Sequence, residues 1–444
     1  MNLNQLKYTT TKKELPLCIV SCPIDTFSGY GARSRDFVKS LIQSKEEEWD
    51  IKILPQRWGE TPWNFLSQDD PLKQRFINGK DIKQKPEIWV QITIPSEFQP
   101  QGQFNIGVSA GIESTIYPGE FIEGSNRMDL NLVSSKHSKD VALATQFDKQ
   151  DNQGNKIGIV KLEKPIEVLF EGLDLNKYYK KPQNSELLKD IPEDFCFLYT
   201  GHWLPGDIGE DRKNTGLMVK TFLETFKGSN KKKPALILKT NSIDYSLIDR
   251  ENIIKRINYI KELVSGNLPN IYLLHGEMTD DEMNQLNNDN KIKAFVSFTK
   301  GEGYGRPLAE AAITGKPVIT TNWSGHLDFI NGDYNILMGG NLTPVHESAA
   351  NQWILKESQW FSVDLNIASK SLKSVFKHYK EYLGRSRKQT QYIKDNWTFN
   401  KMTEKLDSLL KVEKNESSPW IQNHTLELPK LKKIKKKTNL NELA

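Results

Sequence analysis

Twelve short runs of apolar, largely β-branched or aromatic residues, spaced by helix-length segments, constrain this chain more than any other feature. In the first half they are LCIVS (17–21), IKIL (51–54), IWVQITI (88–94), FNIGVSA (104–110), LNLVS (130–134) and IEVLF (166–170). A second series follows: FCFLYTG (195–201), ALILKT (235–240), IYLLHG (271–276), KAFVSF (293–298), PVITT (317–321) and YNILM (334–338). The runs are near-continuous rather than alternating, as expected of strands covered by helices on both faces, and hence of parallel sheet. Between them lie helical patterns such as NTGLMVKTFLETF (214–226), with apolar residues at 217, 218, 222, 223 and 226. A strand–helix alternation that runs its course twice predicts an α/β chain with two Rossmann-like, doubly wound domains.

The polar stretch DLNKYYKKPQNSELLKD, 174–190, reads as the join, which gives an N-terminal domain over 1–186 and a second over 187–385. Past residue 340 the pattern turns helical, at SVDLNIASKSLKSVFKHYKEYL (362–383) and NKMTEKLDSLLKVE (400–413). The expectation is a C-terminal helical segment, 386–413, packed back toward the N-terminal domain, and then a polar, lysine-rich mobile tail over 414–444.

Composition narrows the function classes. The net charge of +5 is a property of the tail, because KLKKIKKK (430–437) holds six lysines. The remaining body is close to neutral, which argues against a nucleic-acid-binding surface. The lysine run itself raises the expectation of peripheral contact with an anionic membrane. No run approaches the ~18 apolar residues of a membrane span, and the first residues lack the apolar core of a secretory signal. Three cysteines, Cys18, Cys22 and Cys196, are too few for a disulfide framework and fit a reducing, cytoplasmic setting. Their spacing, with no histidine nearby, makes zinc a poor reading.

The chemistry concentrates in GEGYGRPLAEAAITGKPVIT, 301–320. A strand ends at KAFVSF, TKGEGYG is a loop, and RPLAEAAITG reads as a helix of about three turns. Pro307 suits the first helical turn and Gly315 the C-terminal cap. Such a unit aims free backbone N–H groups past a strand end, where an anion is favoured. Glu302 stands in the mouth of that loop, and Glu310 lies one turn into the helix with its carboxylate able to reach back. Carboxylates so placed accept hydrogen bonds from sugar hydroxyls, whether of a ribose or a hexose. A loop cap and an exposed helix glutamate are the ordinary alternatives.

The stretch EGYGRPLAEAAITGKPVITTNWSGHLDFI resembles the donor-site signature of the retaining GT-B glycosyltransferases, family 4, in which two glutamates flank seven residues. The resemblance covers roughly residues 195 to 340 and implies the GT-B fold, with two Rossmann-like domains facing across a cleft. It also implies a nucleotide-diphosphate sugar as substrate, with no cofactor and no metal. Glu302 would contact the donor sugar and Glu310 the ribose, with Gly303, Tyr304, Gly305 and Arg306 around the sugar and diphosphate. IYLLHGEMTDDEMNQL resembles the segment that packs against the base, so Glu277 and Met278 join the donor set. EDRKNTGLMVKTFLETF resembles the phosphate-binding segment, which puts Arg212 and Lys213 on the diphosphate. Two cations can neutralise that group, Arg as a fork and Lys as a point charge. His202 follows Gly201 where the family often has arginine, so which cation bears the phosphate stays open.

The N-terminal half matches more weakly. VSCPIDTFSGYGARSRDFVKSL has a glycine loop with Gly29 and Gly31, but G-x-G-x-x-S is an incomplete dinucleotide fingerprint and Asp50 precedes its strand. The resemblance instead makes Gly31 a backbone contact across the cleft from the donor phosphates, with Gly29 beside it on the acceptor side. GIESTIYPGEFIEGSNRMDLNLVSSKHSK resembles the acceptor segment, with Glu113 and Ser135 at the matching positions. His137 and His326 read as local hydrogen-bonding residues. The implied reaction moves a hexose to a hydroxyl of a carbohydrate, lipid-linked or other acceptor with retention of configuration. A sugar-nucleotide epimerase on the same fold, or a catalytically silent nucleotide-sugar-binding subunit, stands as the alternative.

Overall fold

In a computed structural model, the structure describes residues 15–150, 153–228 and 232–411. The lysine run at 430–437 lies outside the described residues. In chain order the strands are β1 (Leu17–Cys22), β2 (Asp50–Pro55), β3 (Ile88–Ile92), β4 (Phe104–Val108), β5 (Leu130–Val133), β6 (Gln146–Gln150), β7 (Lys156–Lys161) and β8 (Ile166–Val168). They continue with β9 (Cys196–Thr200), β10 (Ala235–Lys239), β11 (Ile271–Leu274), β12 (Ile292–Val296), β13 (Val318–Thr321), β14 (Ile336–Met338), β15 (Gly340–Pro344) and β16 (Gln359–Val363). The helices are α1 (Gly29–Lys45), α2 (Gly119–Asn126), α3 (Lys136–Ala144), α4 (Thr215–Phe226) and α5 (Leu247–Val264). After them come α6 (Asp280–Asn288), α7 (Arg306–Ala312), α8 (Leu365–Lys377), α9 (Tyr379–Asn396) and α10 (Phe399–Leu410).

Two six-stranded parallel sheets result, ordered β2-β1-β3-β4-β5-β8 and β11-β10-β9-β12-β13-β14. All twelve sequence runs supply a strand, and side-chain alternation explains their unbroken apolar character. Cys18, Val20, Ile51 and Ile53 pack with Phe37 and Leu41 of α1, while Ile19 and Trp89 point to the other face and meet Phe98 and Met128. In the second sheet Phe197, Tyr199 and Leu236 face α4 and α5, and Cys196, Leu198 and Ile237 face Leu308 and Ala312. The three cysteines are free and buried.

Both sheets reverse direction beside their first strand. The chain runs from β1 out to β2, then returns to lay β3 on the other side of β1; β9, β10 and β12 repeat this. A crevice opens outside the carboxyl ends of the strands at such a switch point, and ligands bind there in open α/β sheets. The last helix, α10, packs on α1 and inserts Met402 and Leu406 into the core of the first sheet, whereas α9 packs on α7 and α8.

Three sequence readings need correction. The region after residue 340 is not helical from the start: β15 and β16 form an antiparallel hairpin in which Ser362 and Val363 pair with Asn341 and Gly340. A 14-residue, turn-rich connection separates the two strands, so no short hairpin signal marks them. The helix after the glycine loop spans only Arg306–Ala312, about two turns, before Gly315 turns it at φ +78°. The helical stretch assigned to 362–383 breaks at His378 between α8 and α9. A further hairpin pairs β6 with β7 and is largely exposed, with Ile157 and Ile159 open to solvent. No helix among the described residues is long and apolar enough to cross a membrane.

Candidate active site

The loop after β9 and the loop after β12 meet at the switch point of the second sheet. The carbonyl of Arg212 accepts from the amide of Lys300 (2.7 Å), which ties the two loops by their backbones. Lys213 Nζ then donates to both oxygens of Glu302, at 2.6 and 2.8 Å. Arg212 Nη1 donates to the carbonyl of Gly301 (2.9 Å) and reaches the Glu302 carboxylate at 3.4 Å. Glu302 is buried, and its amide donates to Ser324 Oγ (2.9 Å). Ser324 sits at φ +81°, a strained setting for a residue with a side chain. Burial alone would raise the Glu302 carboxyl, but Lys213 and Arg212 outweigh it and hold the group down to about 2. The acid is therefore ionised at any working pH.

Glu310 has a different environment. Arg306 Nε donates to it at 3.1 Å, and Arg306 Nη1 also donates to Asp36 of α1 at 2.6 Å. Glu171 stands 3.8 Å from the same guanidinium. Burial pushes the Glu310 carboxyl up to about 7 in spite of Arg306, with Asp280 adding to the push. The two glutamates thus share a crevice but not a protonation range: one is fixed as an anion and the other titrates near neutrality.

The glycine loop packs directly on the first half of the chain. A Cβ on Gly303 would fall 2.1 Å from the carbonyl of Ala110, so only glycine permits this approach. Among the described residues, no group accepts a hydrogen bond from the amides of Gly303, Tyr304 or Gly305. Tyr304 is buried against Phe329 and its hydroxyl has no partner among the described residues. Glu277 is exposed and Met278 half-buried in the loop between β11 and α6, along the same carboxyl edge. That loop is fixed at its far end by a capping box, Thr279 with Glu282.

On the first half, Glu113 joins the cluster, 3.5 Å from Arg212 Nη2. Ser135 stands apart: it is fully buried and caps α3 by accepting from the amide of Ser138. Gly31 has an amide already donated to Ser28 Oγ (2.9 Å), so it offers no free N–H to a phosphate. Its lack of a Cβ serves packing, since one would lie 2.3 Å from the carbonyl of Thr26. Gly29, two residues earlier, faces open space. His202 is exposed at the start of its loop. Burial lowers both His137 (to about 4) and His326, so neither carries charge near neutrality; His137 packs edge-on against Trp323.

Asp36, Glu171 and Ser324 were not legible as site residues. The first two come from the other half of the chain, and only tertiary structure brings them to Arg306. Lys300 was missed too; it is buried over the ring of Trp360, with Glu210 Oε2 3.5 Å away.

No family model matches the sequence, and no curated protein matches it. Solved structures do match its architecture: the chain has the GT-B fold, two parallel α/β units with a cleft at their carboxyl edges. Sucrose-phosphate synthase from Thermosynechococcus elongatus superposes with a TM-score of 0.58 at 10% identity, over 89% of this chain and 98% of that one. Anabaena HepE, solved in complex with UDP and glucose, gives 0.55 at 10% identity over 89% and 99%. A glycosyltransferase from Rickettsia africae gives 0.54 at 13% identity over 89% and 98%.

Proposed function

We propose that this protein is a glycosyltransferase that moves a hexose from a nucleotide-diphosphate sugar to an acceptor hydroxyl with retention of configuration. The observation that carries the reading is the Lys213–Arg212–Glu302 cluster at the switch point of the second sheet, where two cations are held against one acid at 2.6–3.4 Å. Breaking the bond between an anomeric carbon and a diphosphate builds positive charge on the sugar and negative charge on the leaving group. Stabilising that leaving group matters more than a strong base. With donor bound, Lys213 and Arg212 turn to the diphosphate, and Glu302 accepts hydrogen bonds from the sugar hydroxyls. The unpartnered amides of 303–305 add donors beside it. Glu310 takes the ribose. The family resemblance favours front-face substitution, in which the acceptor proton leaves with the departing phosphate oxygen. HepE, a neighbour in fold, was solved with UDP, so uridine donors come first.

The test is turnover of a nucleotide-sugar panel, with and without EDTA. Activity should survive the chelator, and Lys213→Ala should lower turnover by ~10²–10³, the range for losing one principal electrostatic donor. Arg212→Ala belongs beside it. Wild-type turnover in the Lys213 variant would assign the phosphate to another cation. Loss of activity in EDTA with rescue by magnesium or manganese would remove the metal-independent mechanism.

A further inference from the structure

The first sheet has its own switch point, between β1 and β3, and a cavity of about 350 Å³ opens there. Ser21 and Gln91, from the carboxyl ends of those two strands, lie on its floor. Trp89 borders it from the same sheet face, and Trp58 and Gln56 line it from the loop after β2. The far wall is the segment carrying Gln99 and Gln101.

That wall is held in place by the sheet itself. Gln91 Nε2 donates to the carbonyl of Glu97 (3.0 Å), and Gln91 Oε1 accepts from the amide of Gln99 (2.8 Å). The Thr93 hydroxyl donates to the Glu97 carboxylate. Trp58 is equally fixed: its ring stacks on Tyr30 of α1 at 4.0 Å, and the Tyr30 hydroxyl accepts from the amide of Ala110 (3.1 Å). Ala110 is the residue against which Gly303 packs. A short relay of contacts therefore joins the cavity wall to the glycine loop of the candidate active site.

Inside the cavity the polar groups are carboxamides and hydroxyls, from Ser21, Gln56, Gln91, Thr93, Gln99 and Gln101. Beside them stand the rings of Trp58 and Trp89, three separate apolar side chains, Pro23, Leu54 and Ile92, and one cation and one anion, Arg57 and Glu97. Carboxamides each offer donors and an acceptor, as vicinal hydroxyls require, and an indole face covers the apolar face of a pyranose. A phosphate would find no cluster of cations, and a lipid chain no continuous apolar wall. The volume lies at the small end of the range for small-ligand sites.

We propose that this cavity binds a saccharide, the non-reacting part of the acceptor, so that the acceptor is a carbohydrate rather than a lipid or a peptide. The word acceptor rests on the transfer reading above; the saccharide site does not. The test uses the full chain on an array of immobilised oligosaccharides, followed by tryptophan-emission titration with the free form of whichever one binds. Two variants accompany it, Trp58→Ala and the surface double variant Gln99→Ala/Gln101→Ala, both checked for wild-type melting. Calorimetry with UDP-glucose and related donors runs in parallel. Saccharide affinity should fall at least tenfold in both variants. An array with no binding, or binding that both variants retain, overturns the site, while intact nucleotide-sugar affinity in the same samples leaves the transfer reading standing. Saccharide binding that the variants abolish, with no affinity for any nucleotide sugar, has the reverse meaning: the site holds and the transfer reading falls. Binding confined to a parallel peptide array overturns the saccharide.

Discussion

Glu310 is the residue whose chemistry is most open to test. Its carboxyl is buried, sits near 7, and touches Arg306 while Asp280 opposes its charge. A ribose hydroxyl donates best to the ionised form, so donor affinity should rise as pH climbs through 7 and level off above it. Calorimetry from pH 5.5 to 8.5 reads this directly, and Glu310→Gln should flatten the profile. Glu310→Ala should weaken donor binding by ~1.5–3 kcal/mol, the range for a charged hydrogen bond. Stability carries the same signature with a definite sign. The folded carboxyl holds its proton more tightly than the unfolded one, so Glu310 costs the native state increasingly from its ordinary value, 4.5, up to about 7. Relative to wild type, Glu310→Gln should therefore melt higher at pH 8 than at pH 5, by roughly 2–4 °C for each kcal/mol recovered. An equal difference at both pH values would mean the acid titrates in its ordinary range. Glu302 offers the contrast. Held near 2, it keeps its ion-pair stabilisation above the ordinary carboxylate range and loses it only as pH falls toward 2.

At the scale of elements, the entry to α1 shows how two glycines two residues apart do different work. Gly29 begins the helix facing open space, whereas Gly31 is pressed against the carbonyl of Thr26. Gly29→Ala should be neutral or stabilise by up to ~1 kcal/mol, because alanine loses less freedom in a helix. Gly31→Ala must move either α1 or the loop and should cost ~1–3 kcal/mol, as overpacking does. Chemical denaturation midpoints of the two variants test the pair, and equal midpoints would contradict the packing. The glycine spacing was plain in the sequence. What it was for was not, since a phosphate loop and a close-packed helix start place glycines alike.

The whole molecule is joined across its cleft by side chains from both halves. Arg306 reaches Asp36 at 2.6 Å, Arg212 reaches Glu113 at 3.5 Å, and the Gly303 backbone lies on Ala110. The groups proposed to bind donor therefore also hold the halves together, and donor binding has to trade one role for the other. Asp36→Ala removes an inter-half partner without touching the second sheet. It should cost ~1.5–3 kcal/mol of stability for the lost charged hydrogen bond and raise the radius of gyration in small-angle scattering. A scattering curve unchanged by the substitution would show that Arg306 and Asp36 meet without restraining the cleft.

The sequence alone determined the two parallel sheets, because near-continuous apolar runs of strand length have no other good use than burial on both faces. It also marked Glu302 and Glu310 through the strand–loop–helix order around them, and Arg212 and Lys213 through the resemblance to the family's phosphate-binding segment. It did not separate the two glutamates by charge. That depended on which cation each one met: Lys213 from the neighbouring loop for Glu302, and for Glu310 an arginine shared with Asp36 and Glu171 from the first half. Nor did it show that the Ser135 hydroxyl and the Gly31 amide have local partners at helix starts, or find the β15–β16 hairpin, whose strands are too far apart in sequence to show a turn. Local pattern is set by residues a few positions apart. The bonds from Lys213 to Glu302 and from Arg306 to Asp36 join residues 89 and 270 positions apart, and only the folded chain brings them within hydrogen-bonding distance.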